Sequence, residues 1–311
     1  MKSRVTSLFI TAILASSVAL TPAGQRTKSG DTRPNNILVA VGQSATYQGI
    51  TFTFDQSLAQ TVTPQTIPAS TTGKPSDIWP EHAGFTLVGL GRPRSLPEND
   101  PHIRVFSVAK FRDALSIATK EYEKSLVQPS KTEDWTTYLD TEVNLLTSLL
   151  KTRLKNANLR SFLAKQRGKN GCGGTMPFLP LWESCQAFVA RPHYVKFKNG
   201  EGVLFLTQQD VSETNQVTNG GLEYAFQGIT NDGQSYVYAE FSVAAPFLPK
   251  GDEPAVKAWN EENYRLSHKS AEYQRYVGPI VAKLEALPSN QFKPDLRLLE
   301  QLVESLEVRT K

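Results

Sequence analysis

Leu222-Glu223-Tyr224-Ala225-Phe226-Gln227 and Tyr236-Val237-Tyr238-Ala239-Glu240-Phe241-Ser242-Val243 flank Asn231-Asp232-Gly233-Gln234. Two alternating runs of β-prone residues around an Asp-Gly pair define a hairpin, because glycine supplies the positive φ that a tight turn needs. Pairing across Asp232-Gly233 gathers Tyr224, Phe226, Val237, Ala239 and Phe241 on one face. Ala225, Gln227, Tyr236, Tyr238 and Glu240 share the other, and the register places Glu223 and Glu240 on opposite faces of the sheet. One face is wholly apolar and the other mixed, which predicts a sheet with its core on one side.

Another hairpin precedes it, so that in chain order the 222–243 hairpin is the second of the two. Tyr194-Val195-Lys196-Phe197-Lys198 meets Asn199-Gly200 and returns as Gly202-Val203-Leu204-Phe205-Leu206-Thr207. Further out, Ile50, Phe52 and Phe54 alternate with Thr51 and Thr53, a half-buried strand. Residues 61–80 carry Pro64, Pro68, Pro75 and Pro80 among Ser and Thr and read as loop. Residues 84–90 and 102–106 read as strands around a proline-rich turn.

The middle is helical. Ser107 can cap a helix with apolar positions Val108, Phe111, Leu115, Ala118, Tyr122 and Leu126. After Pro129, Trp135, Leu139, Val143, Leu146, Leu150 and Leu154 repeat the period, with a resumption over 158–165. Tyr273, Val277, Ile280, Leu284 and Leu287 form a later stripe interrupted by Pro279. Asp295 opens a last helix bearing Leu298, Leu299, Leu302 and Leu306. Strand and helix blocks segregate, so the expected class is α+β: a mostly antiparallel sheet with helices packed against it, in a single domain.

The N-terminus predicts export. Lys2 and Arg4 precede an uncharged apolar stretch from Leu8 to Leu20, with small residues for cleavage after Ala19 or Ala23. The stretch is shorter than the roughly 20 residues a helix needs to cross hydrocarbon. The expected organisation is a signal peptide over 1–23, a flexible mature N-terminus over 24–45 and the α+β domain over 46–311. No transmembrane anchor is expected after cleavage, and the localisation is secreted or periplasmic. Cys172 and Cys185 are the only cysteines, and in an oxidising compartment such a pair reads as a disulfide. A formal charge of +4, two less once Lys2 and Arg4 leave, gives no reason to expect nucleic acid.

GITFTFDQSLA (49–59), MPFLPL (176–181), YVKFKNGEGVLFLTQ (194–208) and LEYAFQGITNDGQSYVYAEFSV (222–243) resemble a group of uncharacterised exported bacterial proteins, many of them lipoproteins. At the level of fold the arrangement is similar to the PsbP/Mog1-like antiparallel sandwiches. The resemblance implies a non-catalytic accessory or binding role, and it carries over no functional residues. The chain departs from the lipoprotein members in having no anchoring cysteine after its apolar stretch.

No nucleophile elbow, zinc-protease pair, phosphate-cradling loop or calcium loop is present. His82, His102, His193 and His268 are scattered, so no metal ligands, catalytic residues or cofactor are assigned. The mixed hairpin face is the candidate binding surface, with Tyr236, Tyr238, Glu240 and Gln227 in one patch and Tyr194 extending it. Exposed aromatics beside a carboxylate suit recognition of a protein or small ligand; helices covering that face would instead bury the rings. The leading expectation is a secreted non-enzymatic binding or accessory protein. The rival is an extracytoplasmic hydrolase, which Glu240, His193 or Cys172 converging in a cleft would favour.

Overall fold

The structure is a computed structural model describing residues 42–90, 101–125, 134–165, 175–180, 184–210, 215–263, 266 and 270–309. The expected signal peptide and most of the expected mobile terminus lie outside the described residues. β1 (Gln43–Tyr47) and β2 (Ile50–Phe54) form a hairpin over Gln48-Gly49, with φ of 47° and 78°. Both turn residues are left-handed, which matches the twist of the paired strands. Gln43–Ala45, expected in the flexible terminus, are therefore strand, their pairing fixed by that turn.

β3 (Thr61–Ile67), β4 (His82–Val88) and β5 (His102–Ser107) lead into α1 (Val108–Ser125), α2 (Thr136–Thr152) and α3 (Asn156–Lys165). Next come β6 (Cys185–Gln186), β7 (Ala190–Phe197), β8 (Gly200–Thr207), β9 (Gln209–Asp210), β10 (Glu223–Thr230) and β11 (Ser235–Ser242). α4 (Pro254–Asn263), α5 (Ala271–Ala286), α6 (Leu296–Glu304) and β12 (Glu307–Val308) complete the order. Seven strands form one antiparallel sheet in the order β3-β4-β5-β11-β10-β8-β7. β1, β2 and β12 form a small second sheet, and β6 pairs with β9. The α+β class holds.

Both faces of the large sheet are covered. On one, Phe85, Ile103, Leu204, Phe226 and Phe241 pack with Phe52 and Phe54 of β2, Tyr273 and Leu284 of α5 and Leu299 of α6. On the other, Phe106, Val203, Phe205, Tyr236 and Tyr238 pack with Phe111 and Leu115 of α1, Leu139 and Leu146 of α2 and Leu159 of α3. The expectation of a one-sided core is corrected. The mixed face is buried too, because its tyrosines offer rings to the helices while their hydroxyls are bonded internally.

Two local expectations also change. Residues 61–67 are strand β3, at the edge of the sheet, where Pro64 loses no ladder bond. In the first hairpin Phe197 pairs with Gly200, so the two-residue loop is Lys198-Asn199. Gly200 is required there by close approach: a Cβ would lie 2.1 Å from the Phe197 ring and 2.5 Å from Ile229 O. Asn199 instead ties the tip to β12, donating from Nδ2 to Val308 O and accepting from Val308 N at 3.0 Å. The second hairpin keeps its expected register, Phe226 opposite Ala239, with Gly233 at φ 70°.

Candidate functional site

Residue pairing reads the helix-covered face in rows. One runs Thr86, His102, Glu240, Ala225, Phe205 across β4, β5, β11, β10 and β8. The next runs Gly84, Arg104, Tyr238, Gln227, Val203 and ends at Tyr194 on β7. Beyond it lie Phe106, Tyr236 and Ile229. A band of polar and ionisable groups thus crosses the centre of a buried face.

Tyr236, Tyr238 and Gln227 are 0% exposed and Glu240 4%. Four of the five candidate binding residues therefore come together as an internal cluster, in the arrangement in which helices cover that face and bury the rings. Tyr238 Oη donates to Glu240 Oε2. Tyr236 Oη donates to Gln227 Oε1 at 2.7 Å. Burial above all, with the Glu240 and Glu223 carboxylates adding to it, pushes the Tyr238 hydroxyl far above its usual range. Burial and the Glu142 carboxyl do the same to Tyr236. Both hydroxyls remain donors.

Glu223 corrects the sequence reading. It pairs with Ser242, whereas Ala225 pairs with Glu240. Residues 223, 225 and 227 alternate onto a single face, so Glu223 and Glu240 are diagonal neighbours, with Cβ atoms roughly 7 Å apart. His102 stands edge-on to the Tyr238 ring at 5.1 Å between centroids. His82, 4% exposed, donates from Nδ1 to Pro80 O at 2.8 Å and packs on Phe106. Burial, with Arg104 and His102 nearby, lowers its pKa to about 4, so it is neutral at pH 7.

The Met176–Pro180 segment lies over this band. Phe178 N donates to Glu142 Oε2 at 2.8 Å and Leu179 N to Gln227 Oε1 at 3.1 Å. The Phe178 ring meets Tyr238 edge-on at 5.4 Å. Glu142, on α2, is pushed up to about 7 by burial, against the lowering effect of the Phe178 N–H. Sequence reasoning missed Glu142, His82, His102, Arg104 and Glu223 as members of this cluster. The alternation of His102, Arg104 and Phe106 with Ile103 and Val105 was the legible signal for two of them.

Tyr194 is apart from the cluster. It is half-buried at the outer strand, its Oη donating to Leu154 O at 2.8 Å with the Arg153 guanidinium 5.1 Å from its ring centroid. Arg153 also pairs with Glu201. It stands at φ 51° where α2 stops. That turn frames an open cleft of about 460 Å³ lined by Thr152, Arg153, Leu154, Lys155, Ala157 and Asn158. His193 is exposed on the same strand and points to the opposite face from Tyr194. Two strands, β10 and β8, lie between it and Glu240, which makes three strand spacings, about 14 Å.

Cys185 is described, on β6, while its expected crosslinking partner Cys172 lies outside the described residues. Among the described residues no three His, Cys, Asp or Glu side chains are arranged to hold a metal ion, and no helix is long and apolar enough to cross a membrane. No protein-family model, no curated protein and no solved structure matches the chain.

Proposed function

We propose that the chain is an exported, non-enzymatic binding or accessory protein that takes a small ligand or a protein side chain at the α2–α3 turn. The observation that carries the reading is the makeup of the open cleft. Its volume falls in the range of small-ligand sites. It is lined by a guanidinium, an ammonium, an amide and a hydroxyl, with no carboxylate, imidazole or thiol to serve as a general base. Tyr194 and Glu201 hold Arg153 in place, so one wall is preorganised. Cationic and amide donors favour a ligand bearing a carboxylate or phosphate.

Titration of ¹⁵N-labelled protein with acetate, succinate and inorganic phosphate tests it. Saturable shifts confined to 152–158 and Tyr194, lost in Lys155→Glu, support the reading; shifts spread evenly over the surface overturn it. Export and the Cys172–Cys185 crosslink belong to the same proposal. Intact mass of the envelope or medium form should show a chain beginning after Ala19 or Ala23 and two hydrogen atoms lighter than the reduced form.

One observation favours the hydrolase reading: Glu223 and Glu240 share a face beside Tyr238 and His102. Paired carboxylates are the equipment of acid–base hydrolysis. Turnover of chromogenic glycosides or esters that disappears in Glu240→Gln would put this reading in place of the first.

A further inference from the structure

Charge is unevenly placed along the chain. Between Val143 and Gly200 there are ten Lys and Arg and a single carboxylate, Glu183. The remaining residues hold 24 of the 34 Lys and Arg and 29 of the 30 Asp and Glu, so the body outside this stretch is acidic. The nearly balanced total conceals that polarity.

The fold gathers much of the stretch on one surface. α2 ends at Thr152 and α3 begins at Asn156, and three contacts fasten both to the β7 side of the sheet. Tyr194 Oη donates to Leu154 O, Arg153 pairs with Glu201 of β8, and Arg160 Nη1 lies 3.7 Å from Glu285 Oε1 of α5. Lys196 stands opposite Glu201 in the strand register, but that carboxylate is already engaged by Arg153. The arginines thus hold Glu201 and Glu285, and the lysines are left over. Lys151, Lys155, Lys165 and Lys196 are exposed and form no ion pair among the described residues. β7 itself is an edge strand of the large sheet.

We propose that the α2–α3 turn, α3 and the outer edge of β7 form a docking surface for an anionic phospholipid bilayer, held by these four lysines. The composition selects the partner. Lysine is depleted in protein–protein contacts, where arginine and aromatic rings act as anchors. Here both arginines are committed to carboxylates, and the Tyr194 ring lies under Arg153. Single-stranded nucleic acid needs exposed rings for stacking, whereas Phe162 and Tyr194 are half-buried and Phe197 is buried. Mobile ammonium groups suit the diffuse negative potential of a lipid leaflet, which raises partition roughly fivefold for each one near the surface. The same potential repels the acidic remainder of the chain, so the surface also sets orientation. The inference stands apart from the small-ligand reading, since Lys151, Lys165 and Lys196 lie outside the cleft lining.

Cosedimentation of the full chain with phosphatidylcholine vesicles, with and without about one third phosphatidylglycerol, tests it. At 0.1 M salt the native chain should bind the anionic vesicles well above the neutral ones, and the difference should vanish at 1 M, where the screening length is about 3 Å. Lys151→Gln/Lys165→Gln/Lys196→Gln should lower partition onto the anionic vesicles about a hundredfold. Lys250→Gln/Lys257→Gln/Lys293→Gln, the same loss of charge at exposed positions elsewhere, should lower it by no more than about threefold. Equal uptake by neutral and anionic vesicles, as insertion of the apolar N-terminal stretch alone would give, overturns the proposal. So does no uptake by either, or an equal loss in the two variants. Tighter binding to polyglutamate or to duplex DNA than to the anionic vesicles also overturns it and assigns the surface to that class of partner. The first variant leaves the cleft lining intact, so its phosphate shifts at 152–158 report on the small-ligand reading separately.

Discussion

Tyr236 and Tyr238 stand two residues apart on one strand, and their hydroxyls end on chemically different acceptors. Tyr236 donates to the neutral amide oxygen of Gln227, Tyr238 to the carboxylate of Glu240. A hydrogen bond to a charged partner is worth about 1.5–3 kcal/mol and a neutral one about 1. Tyr238→Phe is therefore expected to cost about 2–3 kcal/mol and Tyr236→Phe about 1, in urea unfolding at pH 7. Tyr194→Phe, half-buried at the outer strand, should cost less than either. Equal losses at 236 and 238 would contradict that ranking. The five candidate residues were legible in the sequence as chemistry, since a row of Tyr, Gln and Glu is visible in strand alternation. Their burial was legible only as an alternative to exposure. A mixed face reads as solvated when a strand is considered alone, and only the register of α1 and α2 above it decides that water is excluded.

Two glycines separate two reasons for needing glycine in a hairpin. Gly233 has φ 70° and open space around its would-be Cβ. Gly200 has no positive φ, but a Cβ there would overlap Phe197 and the Ile229 carbonyl. Gly233→Ala should cost about 1–2 kcal/mol of left-handed strain. Gly200→Ala should cost more, about 3 kcal/mol, because a ring and a backbone carbonyl must both move. Guanidinium unfolding of the two variants ranks them, and the reverse order would contradict the turn geometry. The contrast also marks where sequence reading stopped at this scale. Asp-Gly in the second hairpin and the period-2 phase of its strands fixed register and faces, Glu223 excepted, where the alternation was miscounted. Asn-Gly in the first pointed to the right place for the wrong cause, since Asn199 serves a long-range contact with Val308. β3 escaped notice because Thr-Val-Thr-Pro-Gln-Thr is weakly apolar and holds a proline, and only an edge position tolerates both.

The whole molecule carries two titrating groups with opposite demands, His82 buried and Glu142 half-buried. Glu142 is raised to about 7 in the folded chain, so the folded form binds the proton more tightly than the unfolded one, and stability falls as pH rises from about 4.5 to 7. His82 is lowered to about 4, so the unfolded form binds the proton more tightly, and stability falls as pH drops from 6.5 toward 4. Each shift corresponds to on the order of 3 kcal/mol across its window. Between about 4.5 and 6.5 the two slopes oppose one another, so these groups together give a flat profile there, with a decline above it until Glu142 is fully ionised. Substitution should unmask each slope. In Glu142→Gln, stability should climb steadily from pH 4 to 6.5 and then level off, because only the imidazole still titrates. In His82→Gln, stability should fall steadily from pH 4.5 to 7. Urea midpoints taken every half unit from pH 4 to 8.5 distinguish the three chains. Parallel profiles for all three would mean that neither group is held away from its ordinary pKa by the fold.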